Sequence, residues 1–444
     1  MLGLNATSLR RWALWLLYYG GLLAVYLVYI HERMRGGLYG DEWRYTLYTN
    51  NLVQGYYSPP EAVFIWNGPG YPLFLTPVAA LELPWSVGRY LNALLMVGAV
   101  AFFRHTVGLF ARPRWAVGAG LALGLYPPLF WHTSLLYSES LTAFLIVGFA
   151  YQYLRACWHG HRRHVIGAAL FAGALALTKV VFGPALLVWG LLAVVGWLVR
   201  RRAPVWRRSA VIAGLALALC VPYLGYTYSL TGRIFYWGSA MGMSLYYMSS
   251  PHQGELGDWY HQGQARKVPG LKRNHLPVLE RIGRFKEVPR GSSLGELHYL
   301  CSPEADSEFR RLAFENIRAH PGKYFTNWLA NVSRLFVEAP FSYSIWPRKP
   351  SVYLVNALLL LLFLIASIMA IRDRRRADAG VFMLLLLGAI ALGGNSLISA
   401  VARYSAPVMP LVALWTLYVF LGDRARREPA AADGGPAALD SDDD

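Results

Sequence analysis

Residues 12–45 read WALWLLYYGGLLAVYLVYIHERMRGGLYGDEWRY. The stretch opens as an apolar block rich in aromatic rings and closes on Gly40-Asp41-Glu42-Trp43-Arg44-Tyr45, which sets two acids and an arginine just beyond that block. An apolar run of about 20 residues is long enough to cross bilayer hydrocarbon as a helix, so the stretch reads as a membrane span followed by a charged loop. The block is too long and too aromatic for a signal peptide and no small-residue cleavage site follows it, so it is expected to stay as an anchor.

The rest of the chain repeats this pattern. Its 444 residues are 55% hydrophobic and 15% charged, a composition that excludes a set of soluble domains. Apolar blocks near 12–31, 86–104, 115–131, 138–154, 165–180, 183–199, 210–229, 352–371, 380–398 and 404–421 predict about ten transmembrane helices. Backbone groups in hydrocarbon must be satisfied within each segment, and the blocks lack the period-two alternation of barrel strands. The predicted fold class is therefore an all-α polytopic membrane protein.

Basic residues orient it. The formal net charge is +17, and Arg10 with Arg11, Arg112 with Arg114, Arg162 with Arg163, Arg200 to Arg202 with Arg207 and Arg208, Arg372 to Arg376, and Arg424 to Arg427 fall on alternate connections. Those connections are expected in the cytoplasm together with both termini. Orientation alone accounts for the charge, and no nucleic-acid partner is expected.

Four regions follow: an N-terminal module over 1–229 containing an outward loop at 32–85, an outward region over 230–351, C-terminal helices over 352–421, and a disordered cytoplasmic tail over 422–444. The loop carries Trp66-Asn67-Gly68-Pro69-Gly70-Tyr71-Pro72, whose prolines and glycines forbid one continuous helix. The outward region predicts amphipathic helices near 304–319 and 322–338. In the second, Tyr324, Phe325, Trp328, Leu329, Val332, Leu335 and Phe336 share one face and Asn327, Asn331 and Arg334 the other, a pattern expected at a membrane interface. Cys157, Cys220 and Cys301 lie too far apart in topology for a disulfide, and no Cys/His metal spacing or transporter-like repeat is present.

Asp41, Glu42, Arg44, Glu139, Lys179 and Arg403 all fall at the outer ends of spans. An ionisable side chain at the centre of a span costs about 2.5–3.5 kcal/mol on insertion scales, so each needs a partner or a polar cavity. Taken singly, Asp41 fits a helix N-cap, Glu139 a partner for a helix N-terminus, and Lys179 or Arg403 a snorkelling cation. Taken together, the cations suit a lipid phosphate and a neighbouring carboxylate suits deprotonation of a hydroxyl.

Asp41-Glu42-x-Arg44-Tyr45, Asn67-Gly68-Pro69-Gly70-Tyr71-Pro72, Glu139, Leu177-Thr178-Lys179 and Arg403-Tyr404-x-x-Pro407-x-x-Pro410 occur in an order that resembles the polytopic GT-C glycosyltransferases. The nearest resemblance is to the branch holding the lipid A aminoarabinose transferase and the protein O-mannosyltransferases, and it runs to about residue 420. It implies a GT-C fold whose outer loops bear short interfacial helices. It also implies Asp41 as general base, Glu139 as a second functional acid and Glu42 as a further member of the acidic set, fixing Arg44 or a loop backbone. Arg44, Lys179 and, more weakly, Arg403 would hold the donor phosphate, with Tyr45, Asn67, Tyr71 and Tyr404 in the substrate loops.

In the aminoarabinose branch a glutamate and a lysine precede the loop proline, where this chain has Asn67 and Gly68, so no metal ligand set is assigned. A divalent ion on Asp41, Glu42 or Glu139 with His252 or His261 stays an open alternative. Trp43, Tyr56, Tyr57, Trp66, Tyr246, Tyr247, Trp259 and Tyr260 suit sugar stacking or an interfacial aromatic belt equally well.

The expected activity is inverting transfer of a monosaccharide from a polyprenyl-phosphate donor to a hydroxyl of a lipid, protein or polysaccharide acceptor. It would take place on the outer face of a bacterial inner membrane. A glycan ligase or polymerase using a polyprenyl-pyrophosphate donor and a lipid or glycan transporter are the other readings.

Overall fold

The computed structural model describes residues 6–34, 36–200, 203–260, 262–283, 300–343 and 350–422. Arg201, Arg202, His261, the basic cluster at Arg424 to Arg427 and the predicted disordered tail lie outside them.

Among the described residues the chain is helical and has no strand. The N-terminal module runs α1 (Ala6–Arg33), α2 (Glu42–Val53), α3 (Gly70–Ala80), α4 (Trp85–Gly108), α5 (Pro113–Gly124), α6 (Pro127–Phe130), α7 (Glu139–His159), α8 (Arg162–Thr178), α9 (Phe182–Val199) and α10 (Pro204–Thr231). Residues 230–351 contribute α11 (Met241–Met248), α12 (Gln262–Lys267), α13 (Pro269–Asn274), α14 (Leu276–Gly283), α15 (Pro303–Ala319) and α16 (Pro321–Val337). Three helices close the chain: α17 (Pro350–Arg372), α18 (Ala379–Ser396) and α19 (Met409–Leu421). Proline stands in the first turn of several of these, where its missing N–H costs nothing.

Every predicted span falls on a helix. Six helices are long and apolar enough to cross a membrane, within α1, α4, α9, α10, α17 and α18, and α19 is a shorter apolar helix. Prolines cut two of the predicted spans short. The span predicted at 115–131 stops at Gly124 because Pro127 and Pro128 restart the chain as α6. The span predicted from 404 begins at Met409, and Ala402–Tyr404 forms a 3-10 turn. Pro407 has no N–H to give the Arg403 carbonyl, so Arg403 sits on a turn and not inside a helix.

α4, α5, α7, α8, α9 and α10 pack together, α1 lies against α4, and α18 and α19 close the bundle against α9 and α7. The solvent for the remaining apolar surface is lipid: only 17% of the apolar windows of α1 and α17 is buried, against 50% for α18. Beside this bundle α2 and α3 pair with one another, α3 touches α4 and α8, and α11 packs on α15.

α16 turns its polar face inward. Asn327, Asn331 and Arg334 are buried while Phe325 and Leu329 are exposed. The inward side chains bond loop backbone: Asn327 donates to the Met248 and Ser250 carbonyls, both at 3.0 Å, and Asn331 to those of Ser396 and Ile398 at 2.8 and 2.7 Å. All three cysteines are free and buried.

Candidate active site

The site begins with a tight turn. Gly40 has a φ of 58°, and a Cβ there would strike the Tyr137 hydroxyl, so only glycine lets the turn close on that ring. The Tyr137 hydroxyl accepts the Asp41 N–H at 3.2 Å, which fastens the start of α2 to the α6–α7 connection.

Asp41 occupies the N-cap position of α2, yet its side chain makes no cap bond. Its carboxylate instead receives Arg44 at Oδ1 and Arg403 at Oδ2. Burial pushes the Asp41 carboxyl up, but Arg403 and Arg44 outweigh it and hold it well below the usual carboxylate range. Arg44 lies over the rings of Trp43 and Trp66, 5.8 and 5.6 Å from their centroids.

Glu139 opens α7 and is nearly fully buried. Its Oε1 is 2.9 Å from Lys179 Nζ and 3.9 Å from Arg403 Nε. Lys179 follows the last residue of α8 and also donates to Ser138 Oγ at 3.3 Å. The Tyr404 ring lies beneath both cations, its centroid 5.6 Å from Lys179 Nζ and 5.5 Å from the Arg403 guanidinium.

The proline-glycine loop places Lys179. A Cβ at Gly68 would meet the Leu177 carbonyl oxygen, and one at Gly70 the Thr178 side chain, so this loop packs directly on the end of α8. That contact gives Gly68 a packing reason to differ from the aminoarabinose pattern. Asn67 Nδ2 donates to the Tyr45 hydroxyl at 3.2 Å, and that hydroxyl donates to Ser138 Oγ at 3.0 Å. Tyr71 is fully buried, donates to Asn92 Oδ1 at 3.1 Å and meets the Tyr45 ring edge-on at 5.1 Å. Its contacts are those of a support for Tyr45.

Glu42 fixes a loop backbone, one of the two roles expected of it. It accepts Arg89 Nε and Nη2, both at 3.0 Å, and the backbone N–H groups of Leu136 and Tyr39, both at 2.7 Å. With no exposure and both oxygens occupied, it fastens the turn and is not available to a reacting atom. Its cation is Arg89 and not Arg44.

Sequence reasoning left Arg89 and Cys301 without a role. Arg89 was discoverable only as a guanidinium near the start of a span that must find an acid. Cys301 lies near Arg44 and Asp41, and burial pushes its thiol up to about 12, which leaves it unreactive.

The five clustered groups are three cations and two carboxylates, so one positive charge is in surplus. Arg44 Nε and Arg403 Nε are buried without a hydrogen-bond partner. Each acid already receives a cation, His252 stands beside His275 with ring centroids 5.6 Å apart, and among the described residues, which do not include His261, no three His, Cys, Asp or Glu gather as ligands. A set with this charge can receive an anion.

No family model and no curated protein matches the chain. Among solved structures it is similar to the archaeal oligosaccharyltransferase AglB from Archaeoglobus fulgidus, in complex with an inhibitory peptide and a dolichol-phosphate. That alignment covers 90% of this chain and 50% of the other at 15% identity, with a TM-score of 0.46. The chain therefore spans about half the length of that protein. It is also similar to ArnT from Cupriavidus metallidurans bound to undecaprenyl phosphate, over 94% of this chain and 78% of the other at 16% identity, with a TM-score of 0.43. At these scores the likeness adds nothing to the site, which rests on the residues above.

Proposed function

We propose that the protein is an inverting glycosyltransferase that moves one sugar from a polyprenyl-phosphate carrier to an acceptor hydroxyl at the outer face of the cell membrane. The observation that carries this reading is the convergence of Asp41, Arg44, Glu139, Lys179 and Arg403, drawn from four separate connections, into one cluster with a surplus cation. The alternation of basic connections supports an inward position for both termini and an outward one for the cluster.

Asp41 takes the acceptor proton as the oxygen attacks the anomeric carbon. A phosphate leaves as a stable anion, so the departing side needs cations and no acid, which is the part of Arg44, Lys179 and Arg403. Glu139 sets Lys179 and orients the acceptor or Asp41. Attack opposite the leaving group inverts the anomeric centre. A phosphodiester carries one negative charge and a pyrophosphate-linked carrier two, so the single surplus cation favours the monophosphate donor over the ligase or polymerase reading.

Mass spectrometry of polyprenyl-phosphate sugars from cells carrying the native chain or Asp41→Asn tests this. Accumulation of one glycosylated carrier in the variant is expected, and its mass identifies the sugar. Identical lipid profiles from two equally expressed, folded proteins would overturn the transferase reading and favour transport or a pyrophosphate donor.

A further inference from the structure

In the cluster the general base is masked. Arg44 holds one oxygen of Asp41 and Arg403 the other, and guanidinium bonds favour the ionised carboxylate over the protonated one. Transfer nevertheless requires Asp41 to take a proton. One of its two cations must move away.

The two arginines are not equivalent. Arg44 is three residues along the same helix, its side chain is 8% exposed, and Trp43 and Trp66 enclose it. Arg403 rises from the 3-10 turn between α18 and α19, and its side chain is 24% exposed. Its guanidinium lies 5.1 Å from the Tyr137 centroid, with Glu139 at 3.9 Å from an Nε that has no hydrogen-bond partner. Arg403 can release Asp41 and still keep a counter-charge beside it.

We infer that Arg403 is a shuttle cation, which masks Asp41 until a donor is bound and passes from Asp41 to the phosphate as the sugar moves. The inference rests on the lipid-phosphate donor proposed above. In the step itself the acceptor hydroxyl gives its proton to Asp41 Oδ2 and its oxygen bonds the anomeric carbon. The bond from that carbon to the phosphate oxygen breaks, and its electron pair stays on the phosphate. One negative charge vanishes from Asp41 and one appears on the phosphate, which changes from a singly charged diester to a doubly charged monoester. The total charge of the cluster is constant and only its position changes. A cation that bonds the base before transfer and the leaving group during it acts where charge develops, which lowers the barrier without over-stabilising bound donor.

The test is a binding cycle on the full-length protein in detergent, with farnesyl phosphate as the probe and farnesol as its uncharged control. The native protein should prefer farnesyl phosphate. Asp41→Asn should tighten that binding about tenfold, the change that ~1.4 kcal/mol produces, because Arg403 is set free. Arg403→Gln should weaken it, and in the double variant Asp41→Asn should confer no gain. An equal gain with Arg403 absent would reduce the effect to charge repulsion and overturn the shuttle, with the donor reading intact. No preference of the native protein for farnesyl phosphate over farnesol would sink the donor reading itself. Should Arg403→Gln fail to fold, Arg403→Lys replaces it. Lysine lacks the fork that bridges two anions, so the gain should fall below about threefold, and an undiminished gain overturns the proposal.

Discussion

Two buried ionic networks of this protein are bonded in opposite ways. Around Arg334, whose side chain is 0% exposed, the carboxylates are served mainly by neutral donors. Asp258 receives Arg334 at 3.2 Å but also the Tyr260 hydroxyl at 2.7 Å and the Ser342 N–H and hydroxyl at 2.7 and 2.8 Å. Glu255 accepts from Ser250, Asn274 and Tyr343 and lies 2.7 Å from His275 Nε2. The cations spread onto backbone: Arg334 donates to the Leu256 and Pro340 carbonyls, and Lys323 to that of Glu255.

Around Asp41 the carboxylates bond cations, at 18% side-chain exposure for Asp41 and 24% for Arg403. A network that ties side chains to loop carbonyls fastens a fold. One that gathers cations in excess at a partly open place suits the proposed anionic donor.

Substitutions should separate the two. Asp41→Asn keeps shape and removes basicity, so transfer should fall by roughly 10²–10⁴ while thermal unfolding in detergent stays unchanged. A normal turnover would remove the base from Asp41. Arg334→Met should show the reverse. Leaving Asp258 buried without its cation costs about 3–5 kcal/mol, read as a lower melting temperature, and activity should be lost only in step with folded protein. If Arg334→Met melts like the native chain, the contrast fails.

Lys179→Ala tests the donor side more gently. It should raise the donor KM about tenfold, ~1.4 kcal/mol, with a smaller change in kcat; an unmoved KM would take Lys179 out of phosphate binding. The smallest effect is one of pH. Burial pushes the Glu255 carboxyl up, but the bonds from His275, Ser250 and Asn274 outweigh it and hold it at about 2. An acid so depressed contributes its full stability above the ordinary glutamate value of about 4.3, and that stability is lost as pH falls toward the folded value. The melting temperature of the native chain should drop over that acid window, and Glu255→Gln should flatten the drop. Parallel curves would place the acid sensitivity elsewhere.

The spans were legible because each is a run of apolar residues read without reference to the rest of the chain. α5 and α19 were misread only at ends where prolines intervene. The charges at the span ends were legible too, as acids and bases recurring at the same side of successive spans. The cation of Glu42 was not, since Arg89 lies 47 residues away; only its part in fixing a loop backbone was expected. Gly68 likewise showed its reason only in the contact with Leu177.

What the sequence by itself determined is a helical membrane protein with ionisable residues gathered at span ends, because hydropathy and charge are local quantities that accumulate along a chain. Which of those residues meet was decided by tertiary structure. Asp41 and Arg403 stand 362 residues apart, and no local quantity records that the turn before α2 and the turn before α19 come to rest against the same end of α7. Only the packing of helix ends makes the pair, and with it the site.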